Sequence, residues 1–484
     1  MEVKGEVMDK VISKKTKYLL GAQHVLAMFG ATVLVPFLTG LNPSLALLTA
    51  GIGTLIFHFC SKKIVPVFLG SSFAFIGAIQ LVLKNQGIAY VKSGVICAGF
   101  VYIIMAGVVL KFGVEKVKSF FPPIVTGPII MVIGLRLSPV ALGMMGYANS
   151  TFDKKSLLVS GIVVLSMIIF SVLGKGFFKL VPILISVAIG YLISIPMGMV
   201  DFTPVITAKW IGLSSDAMKD LLTAPIFTIE SILAIAPIAL VVFIEHIGDI
   251  TTNGAVVGKD FFKEPGVHRT LLGDGLATAL AGLLGGPANT TYGENTGVLA
   301  VTKVYDPSIL RIAAWYAIGL SIIGKFGAIL QTIPVPVMGG VSIILFGMIA
   351  SVGVRTLIDA QLDFAHSRNL MIAAVIFVFG IAVGDIVLGS SLSISGLTIA
   401  AILGITLNKI LPEKVDNYKV VKFGEVKLNV KNSKNIPETT IGDKRYVLTS
   451  SLYSMFEEMY NDPNKVNEVN ENIDIKNIKE FTFE

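Results

Sequence analysis

Charged residues are scarce in this chain of 484 amino acids, where Asp, Glu, Lys and Arg together make up 15%. Soluble globular proteins carry about 25%. Hydrophobic residues make up 54% of the chain, and the mean hydropathy is +0.78. A protein interior cannot bury that excess of apolar side chains, so part of the surface must face lipid. The composition excludes an ordinary soluble domain and predicts a multi-pass protein of the cell membrane.

Cysteine and tryptophan are also rare, with two of each. Cys60 and Cys97 lie in or beside separate apolar segments, which excludes a disulfide framework or a cysteine metal cluster. The apolar segments carry no nucleophile–base pair and no metal-ligand spacing. We therefore expect neither an enzyme nor a protein with a metal or another cofactor.

About fourteen apolar segments have the length, about 20 residues, that crosses a bilayer. Their centres lie near Met28, Leu55, Ala74, Tyr102, Met131, Leu165, Ala188, Ala236, Ala277, Gly297, Ile318, Leu345, Val375 and Ala401. Lysines and arginines gather in alternate loops, for example Lys62 and Lys63 in one loop and Lys175 and Lys179 in another. By the positive-inside rule, these loops and both termini are expected to be cytoplasmic. The formal net charge of +7 thus indicates orientation and not a nucleic-acid partner.

Three pairs of segments resemble each other in the same order along the chain. They are Pro123 to Gly134 with Pro336 to Gly347, Ser71-Ser72-Phe73 with Thr290-Thr291-Tyr292, and, more weakly, Gln23-His24 with Glu245-His246. Two related halves of about seven spans each must insert with opposite topology, because the number per half is odd. We predict an all-α polytopic membrane protein built from two inverted seven-span repeats.

This repeat divides the chain into five regions. They are a cytoplasmic N-terminus (1–16), the first repeat (17–200), an extracellular linker (201–223), the second repeat (224–411) and a cytoplasmic tail (412–484). The tail is polar and charged, in contrast to the region before it.

Polar residues interrupt the apolar pattern at two corresponding places. The range Gly285 to Gly297, which contains Glu294, is too polar and glycine-rich for a continuous lipid-facing helix, and Val67 to Gly77 is interrupted in the same way. Glu245 and Asp249 lie four residues apart in a nearby apolar segment, so they share one helix face. Paired interruptions of this kind predict a binding site at the membrane midplane. Short strands from the two could pair, each leading into a half-helix.

The residues at this site indicate the class of ligand. Glu245 and Glu294 can accept hydrogen bonds, backbone N–H groups near Phe73 and Gly293 can donate them, and Phe73 and Tyr292 offer flat apolar faces. A planar heterocycle with alternating N–H and C=O groups, such as uracil, would satisfy all of these groups. A sugar would recruit tryptophan, and a phosphate or sulfate would need arginine, both of which these segments lack. Because removal from water favours the neutral form of a carboxylic acid, Glu245 is expected to carry a coupling proton.

One run of residues resembles a known signature. Glu294-Asn295-Thr296-Gly297-Val-Leu-Ala-Val-Thr302-Lys303 fits the signature of the nucleobase–ascorbate transporter family at every fixed position: Gln, Glu or Pro, then Asn, any residue, Gly, four of any kind, Thr, and a basic residue or Gly. Gln23-His24, Phe29 to Pro36, Gly70 to Phe75 and Glu245 to Gly248 also resemble the uracil permeases of that family. The resemblance covers about Lys17 to Lys409.

The resemblance implies fourteen spans, with antiparallel strands interrupting spans three and ten. Spans one to four and eight to eleven would form a core domain, and the others a gate domain. It implies base contacts by Glu245, Glu294, Phe73 and Gly293, the last two through backbone N–H groups. Supporting roles are expected for Gln23, His24, Ala31, Ser72, Tyr292 and Asn295. Uracil permeases often have a histidine implicated in proton coupling where this chain has Asp249, so Asp249 is a second candidate for that role.

We expect proton-coupled uptake of uracil by alternating access, with the proton as coupling ion. A xanthine or guanine permease of the same family is the nearest alternative, although purine transporters usually have Gln in the first signature position. An anion exchanger on the same fold is a distant alternative, which would be expected to have a basic or neutral site. The sequence leaves a homodimer open.

Overall fold

The computed structural model describes residues 13–388 and 392–412, together with 419–423, 426–430, 438–441 and 444–447. The chain separates into two compact units, Met1–Ile410 and Leu411–Glu484. Helices dominate the first unit.

The first half of the first unit contains twelve helices and three short strands among its described residues. In chain order these are α1 (Lys14–Thr39), α2 (Pro43–Cys60), β1 (Leu69–Ser71), α3 (Ile76–Asn85), α4 (Ile88–Phe112), α5 (Val114–Lys118), α6 (Pro123–Arg136), α7 (Ser138–Met144), β2 (Tyr147–Ala148), β3 (Thr151–Phe152), α8 (Lys154–Val172), α9 (Phe177–Leu180), α10 (Pro182–Ser194), α11 (Thr203–Thr207) and α12 (Ser215–Leu222). A 3-10 turn, Phe73–Phe75, precedes α3. Local sequence explains the start of α2, because Asn42 accepts a hydrogen bond from the Ser44 amide and Pro43 occupies the first turn, where no intrahelical donor is needed.

The second half continues with longer helices. In chain order these are α13 (Ile229–Ile235), α14 (Ile238–Val257), α15 (Val267–Leu284), β4 (Asn289–Thr291), α16 (Gly293–Thr302), α17 (Pro307–Ile322), α18 (Gly324–Gln331), α19 (Val335–Asp359), α20 (Ser367–Phe377), β5 (Asp385–Leu388), β6 (Leu392–Ser395) and α21 (Gly396–Ile410). Single π turns lie at Phe262–Gly266 and Val378–Ala382.

Seven helical segments of the described chain are long and apolar enough to cross a membrane. They are Lys14–Thr39, Pro43–Cys60, Ile88–Phe112, Pro123–Met144, Lys154–Val172, Ile229–Val257 and Val335–Asp359. Five shorter apolar helices accompany them: Phe73–Asn85, Pro182–Ser194, Pro307–Ile322, Ser367–Ala382 and Gly396–Ile410. Every span centre predicted from the sequence lies in one of these segments, in α15 or in α16. Length and hydropathy alone thus identify seven spans, and the count of fourteen remains a prediction.

The two interrupted segments meet as a buried pair of antiparallel strands, as the sequence predicted. In this pair β1 and β4 align Leu69 with Thr291, Gly70 with Thr290 and Ser71 with Asn289. The contacts at their ends are reciprocal: the Ser72 amide donates to the Ala288 carbonyl at 2.9 Å, and the Tyr292 amide donates to the Phe68 carbonyl at 3.1 Å.

The supporting helices hold the two strands in the same way. Thr54 of α2 accepts a hydrogen bond from the Leu69 amide at 2.9 Å, and Thr278 of α15 accepts one from the Asn289 amide at 3.3 Å. This reciprocity relates Leu69 to Asn289 and therefore Phe73 to Gly293, so that each of these two residues begins the helical turn after its strand. The alignment drawn from the sequence, which paired Phe73 with Tyr292, was shifted by one residue.

The helices of the first unit pack into two groups. In the first group α1, α2, α4, α15 and α17 contact one another, and in the second α6, α8, α10, α19, α20 and α21 do so. The division into a core and a gate remains a prediction. Glycine allows the closest approach in the first group, because a Cβ at Gly99 of α4 would lie 2.5 Å from the Ala279 amide nitrogen and 2.6 Å from the Gly275 carbonyl oxygen of α15.

The prediction of an otherwise all-α chain was wrong at several places. Strands β2 and β3 form a hairpin whose central residues, Asn149 and Ser150, have φ values of 49° and 62°, the left-handed pair that a tight hairpin turn requires. Strands β5 and β6 pair just before α21. In the second unit, β7 (Lys419–Phe423) pairs with β8 (Val426–Val430) and β9 (Glu438–Ile441) with β10 (Lys444–Val447). The alternation in Val426-Lys-Leu-Asn-Val430 is typical of a strand, a period-two signal hidden within a generally polar tail.

Candidate substrate site

The site is built where two helical segments start at opposite ends of the paired strands, and both segments contact α14. The turn that leads into α3 begins at Phe73 and α16 begins at Gly293, directly after the paired strands. The preceding residues, Ser72 and Tyr292, provide no side-chain cap. The first N–H groups of a helix have no backbone partner within it, so a ligand can accept hydrogen bonds from them.

Open space lies in front of α16. Gly293 is exposed, and a Cβ added there or at Gly297, one turn later, would meet no atom within 4 Å. The same holds for Gly77 of α3 and Gly248 of α14. The helices around the site therefore present bare backbone at these glycines, which lets a flat ligand approach the main chain closely.

Three carboxylates converge on this place from two elements. Glu245 and Asp249 come from α14, and Glu294 comes from the first turn of α16; all three are half-buried. Glu245 interacts electrostatically with Asp249 and Glu294, so the two acids that the sequence placed together are close in the structure. Thr291 of β4 donates a hydrogen bond of 2.6 Å to Oδ2 of Asp249, which holds α14 against the strand pair.

A cavity of about 240 Å³ connects the site with the second helix group. Glu294, Gly297 and Val298 of α16 line it on one side, and Leu345 and Met348 of α19 on the other. Ala27, Met167, Lys179 and Ile183 contribute from α1, α8, α9 and α10. Glu294 thus lies at the boundary between the two groups, whereas Glu245, Asp249 and Phe73 are not part of this lining.

Phe73 and Tyr292 have different surroundings, although the sequence assigned both a flat face for the ligand. The Phe73 ring is half-buried and contacts Phe346 of α19 edge to face, with centroids 6.4 Å apart. Tyr292 is 4% exposed, and its hydroxyl donates to the Ser71 carbonyl at 2.9 Å. The Tyr292 ring therefore fixes β4 against β1 instead of facing the cavity, because a buried phenol needs a hydrogen-bond acceptor.

The remaining predicted residues lie behind the site. His24, Ala31, Ser72 and Asn295 are all buried, and Gln23 is half-buried. The Asn295 amide nitrogen lies 3.1 Å from Nδ1 of His24 and donates to the His24 carbonyl at 3.0 Å, which ties α16 to α1. His24 and Asn295 thus position the start of α16, and none of the five residues lines the cavity.

A buried polar cluster that was not predicted from the sequence lies next to Glu245. His246 Nδ1 lies 2.7 Å from Oδ2 of Asp274, and its Nε2 lies 2.8 Å from the Thr270 hydroxyl. His246, Asp274 and Thr270 are fully buried, and Glu245 interacts electrostatically with Asp274. The isolated acid in the apolar run Leu271-Leu-Gly-Asp274-Gly-Leu could have predicted this cluster, because an ionisable residue within a span needs a partner.

The hydrogen bonds of the cluster determine its proton count. The Thr270 hydroxyl donates to the Val267 carbonyl at 2.9 Å, so it accepts from His246, and Nε2 must carry a proton. One further proton must lie between Nδ1 and the Asp274 carboxylate, on either atom. His246 and Asp274 therefore share a proton, and Asp274 lies within electrostatic reach of Glu245.

Solved structures of membrane transporters share this arrangement of two helix groups around a pair of half-helices. The fold matches the transmembrane domain of a cyanobacterial bicarbonate transporter, BicA, with 16% identity, a TM-score of 0.56, and coverage of 80% of this chain and 97% of that one. It also matches the murine anion transporter Slc26a9 in its inward-facing state, with 10% identity, a TM-score of 0.61, and coverage of 85% and 69%. At these identities the likeness concerns the fold alone.

Sequence comparison gives the particular family. A model described as a permease family, Xan_ur_permease, matches residues 15–387. The uracil permease of Bacillus caldolyticus is 45% identical over 397 residues, which cover 81% of this chain and 91% of the relative. The uracil permease of Escherichia coli K12 is 42% identical over 394 residues, covering 81% and 90%. The chain belongs to the nucleobase–ascorbate transporter family and is an integral membrane transporter.

Proposed function

We propose that this protein imports uracil across the cell membrane together with a proton. Relatives named uracil permeases at 42–45% identity support the substrate. The observation that carries the proposal is the convergence of Glu245 and Glu294 beside the uncapped first turn of α16. Carboxylate acceptors and backbone donors together complement the alternating N–H and C=O groups along the edge of a pyrimidine base.

Each group at the site then has a role. Glu294 and Glu245 accept hydrogen bonds from the N–H groups of the base, and the amides of Phe73 and Gly293 donate to its carbonyl oxygens. The exposed side of the Phe73 ring covers one face of the base. Bare glycine backbone along α16 leaves room for the flat ligand.

Proton coupling is assigned to the carboxylates of α14. Glu245 or Asp249 binds a proton from outside, and the repulsion among neighbouring acids falls when one of them is neutral. Asp249 keeps one oxygen on Thr291 and has the other for a proton. The proton leaves on the cytoplasmic side after the base, and the His246–Asp274 cluster is assigned to relay a proton to or from Glu245 along the way.

The transport cycle is assigned to movement of one helix group against the other. The cavity between α16 and α19 supports this idea, because Glu294 lies on the boundary that would open and close. We also propose that the chain crosses the membrane fourteen times in two inverted repeats, that the spans form a core and a gate, and that both termini are cytoplasmic. Reciprocal hydrogen bonding of β1 and β4 supports the repeat.

Uptake by proteoliposomes with an imposed pH gradient, acid outside, tests the function. Uracil should accumulate, thymine or 5-fluorouracil should compete with it, and Glu245→Ala should abolish uptake while the protein still inserts. Xanthine as the stronger competitor would identify a purine permease instead. Accumulation that does not depend on the gradient would contradict proton coupling. Chloride or sulfate currents would favour an anion exchanger, although several carboxylates at the site oppose anion binding.

A further inference from the structure

An apolar groove lies on the outer surface of the first helix group, away from the substrate site. It has a volume of about 550 Å³ and runs between α2 and α15. Ile52, Leu55 and Ile56 line one wall, and Leu272 and Leu276 line the other. Phe59, at one end, is 79% exposed. In a membrane protein, apolar side chains that do not pack against protein face the acyl chains of lipids.

Cations gather at the end of the groove where α2 stops and α15 starts. Arg269 lines the groove itself and forms no hydrogen bond or ion pair with the described part of the chain. Arg269 and Lys62 both interact electrostatically with His268, which places the three groups together. The two segments at this end, residues 61–64 and 258–269, contain five lysines and arginines and two carboxylates, one of which, Asp260, pairs with Lys263.

The backbone conformation of Lys62 and Lys63 indicates that the charge of their side chains has a role at this end of the groove. Lys62 and Lys63 terminate α2 with φ values of 55° and 62°, in the left-handed region. The Lys63 amide donates to the His58 carbonyl at 2.6 Å, so the turn closes the helix. Glycine or asparagine usually occupies such positions, because a larger side chain is disfavoured there. Two consecutive lysines therefore place charge here against the local conformational preference.

We propose that this groove binds an anionic phospholipid. One acyl chain lies between α2 and α15, and the lipid phosphate contacts Arg269 and Lys62. The apolar walls favour a lipid over a free phosphate ion, because a soluble anion gains nothing from the groove. Uncompensated cations favour an anionic headgroup over a zwitterionic one. The site is independent of which nucleobase the protein transports.

Native mass spectrometry of the purified, delipidated protein tests the proposal. The protein is titrated with phosphatidylglycerol and, in parallel, with phosphatidylcholine, and the bound lipids are counted. Phosphatidylglycerol should bind more tightly. Arg269→Gln should weaken its binding about five-fold, the effect of one basic residue near an anionic lipid surface, and should weaken phosphatidylcholine binding less, because the choline cation offsets the charge of that lipid's phosphate. An unchanged affinity of Arg269→Gln for phosphatidylglycerol would overturn the proposal.

Two further variants locate the site. Arg355→Gln removes an exposed arginine from α19, outside the groove, and should leave lipid binding unaltered. Leu276→Trp fills the groove and should weaken binding of both lipids, which keeps the test decisive if Arg269→Gln fails to fold. Glycerol 3-phosphate should not displace phosphatidylglycerol; effective displacement would show that the phosphate alone is recognised and would refute the lipid site.

Discussion

Replacement of Glu294 by glutamine provides the sharpest test of the site. Glu294 is the second residue of α16 and borders the cavity between the two helix groups. Glutamine has the same shape, but it offers one acceptor oxygen and places an N–H group where the second oxygen was. A base N–H that faces this new donor loses its partner.

The size of the effect follows from the cost of that unmade hydrogen bond. Leaving a buried donor unsatisfied costs about 1–3 kcal/mol, which corresponds to about 5- to 150-fold weaker binding of uracil. Equilibrium binding of labelled uracil to detergent-purified Glu294→Gln protein measures this change directly, without interference from the rate of transport.

A matched control separates binding from helix stability. Glu230 is also half-buried, also glutamate and also the second residue of its helix, α13. Both substitutions remove the same favourable interaction with a helix N-terminus, about 0.3–1 kcal/mol. Glu230 is fifteen residues from Glu245 along α13 and α14, about 22 Å at helical rise. Glu230→Gln should therefore bind uracil normally. Equal losses in both variants, or normal binding by Glu294→Gln, would refute the assignment of Glu294.

Three other substitutions test coupling, packing and electrostatics. Asp249→Asn keeps a partner for Thr291 but holds no exchangeable acid proton, so gradient-driven accumulation of uracil in proteoliposomes should fall at least several-fold while uracil exchange at equal pH continues. Gly99→Leu forces a side chain against the α15 backbone and should destabilise the protein by about 1–3 kcal/mol or more in thermal unfolding. Asp306→Ala removes the cap of α17 and its ion pair with Lys17, which should cost about 0.5–2 kcal/mol near neutral pH. Burial opposes ionisation of Asp306, but the hydrogen bonds from Lys17 and Ser308 hold its pKa below the ordinary value. The contribution of Asp306 to the free energy of unfolding is therefore present above about pH 3.9 and is lost as the pH falls below it.

Two of these substitutions have control variants in the same elements. Gly107→Leu lies on α4 like Gly99 but faces open space, so it should leave the unfolding temperature nearly unchanged. Asp306→Asn retains a capping side chain and loses only the ion pair, and should recover most of the stability lost by alanine. Coupled accumulation by Asp249→Asn at the normal level would assign the proton to Glu245 alone. Equal effects of leucine at Gly99 and Gly107 would contradict the close approach of α4 and α15.

Much of the architecture follows from local pattern. Every span centre predicted from the apolar runs lies in or beside a helix, because the thickness of the bilayer sets the length of apolar sequence that a span needs. The polar interruptions at Val67 to Gly77 and Gly285 to Gly297 predicted the strand pair, because backbone at that depth must find partners. The small hairpins escaped prediction, since a strand of two to five residues gives too weak a signal in a long chain.

The sequence by itself determined the chemical character of the site: acids in apolar surroundings, glycine-rich backbone and the signature that begins at Glu294. Only the tertiary structure decided which groups share that site. His246 and Asp274 are 28 residues apart on different helices, and their contact depends on how α14 packs against α15. The Tyr292 ring points into the protein because its hydroxyl finds the Ser71 carbonyl across the strand pair. Periodicity records which face of a segment avoids water, whereas the identity of a neighbour depends on contacts between segments far apart in the chain.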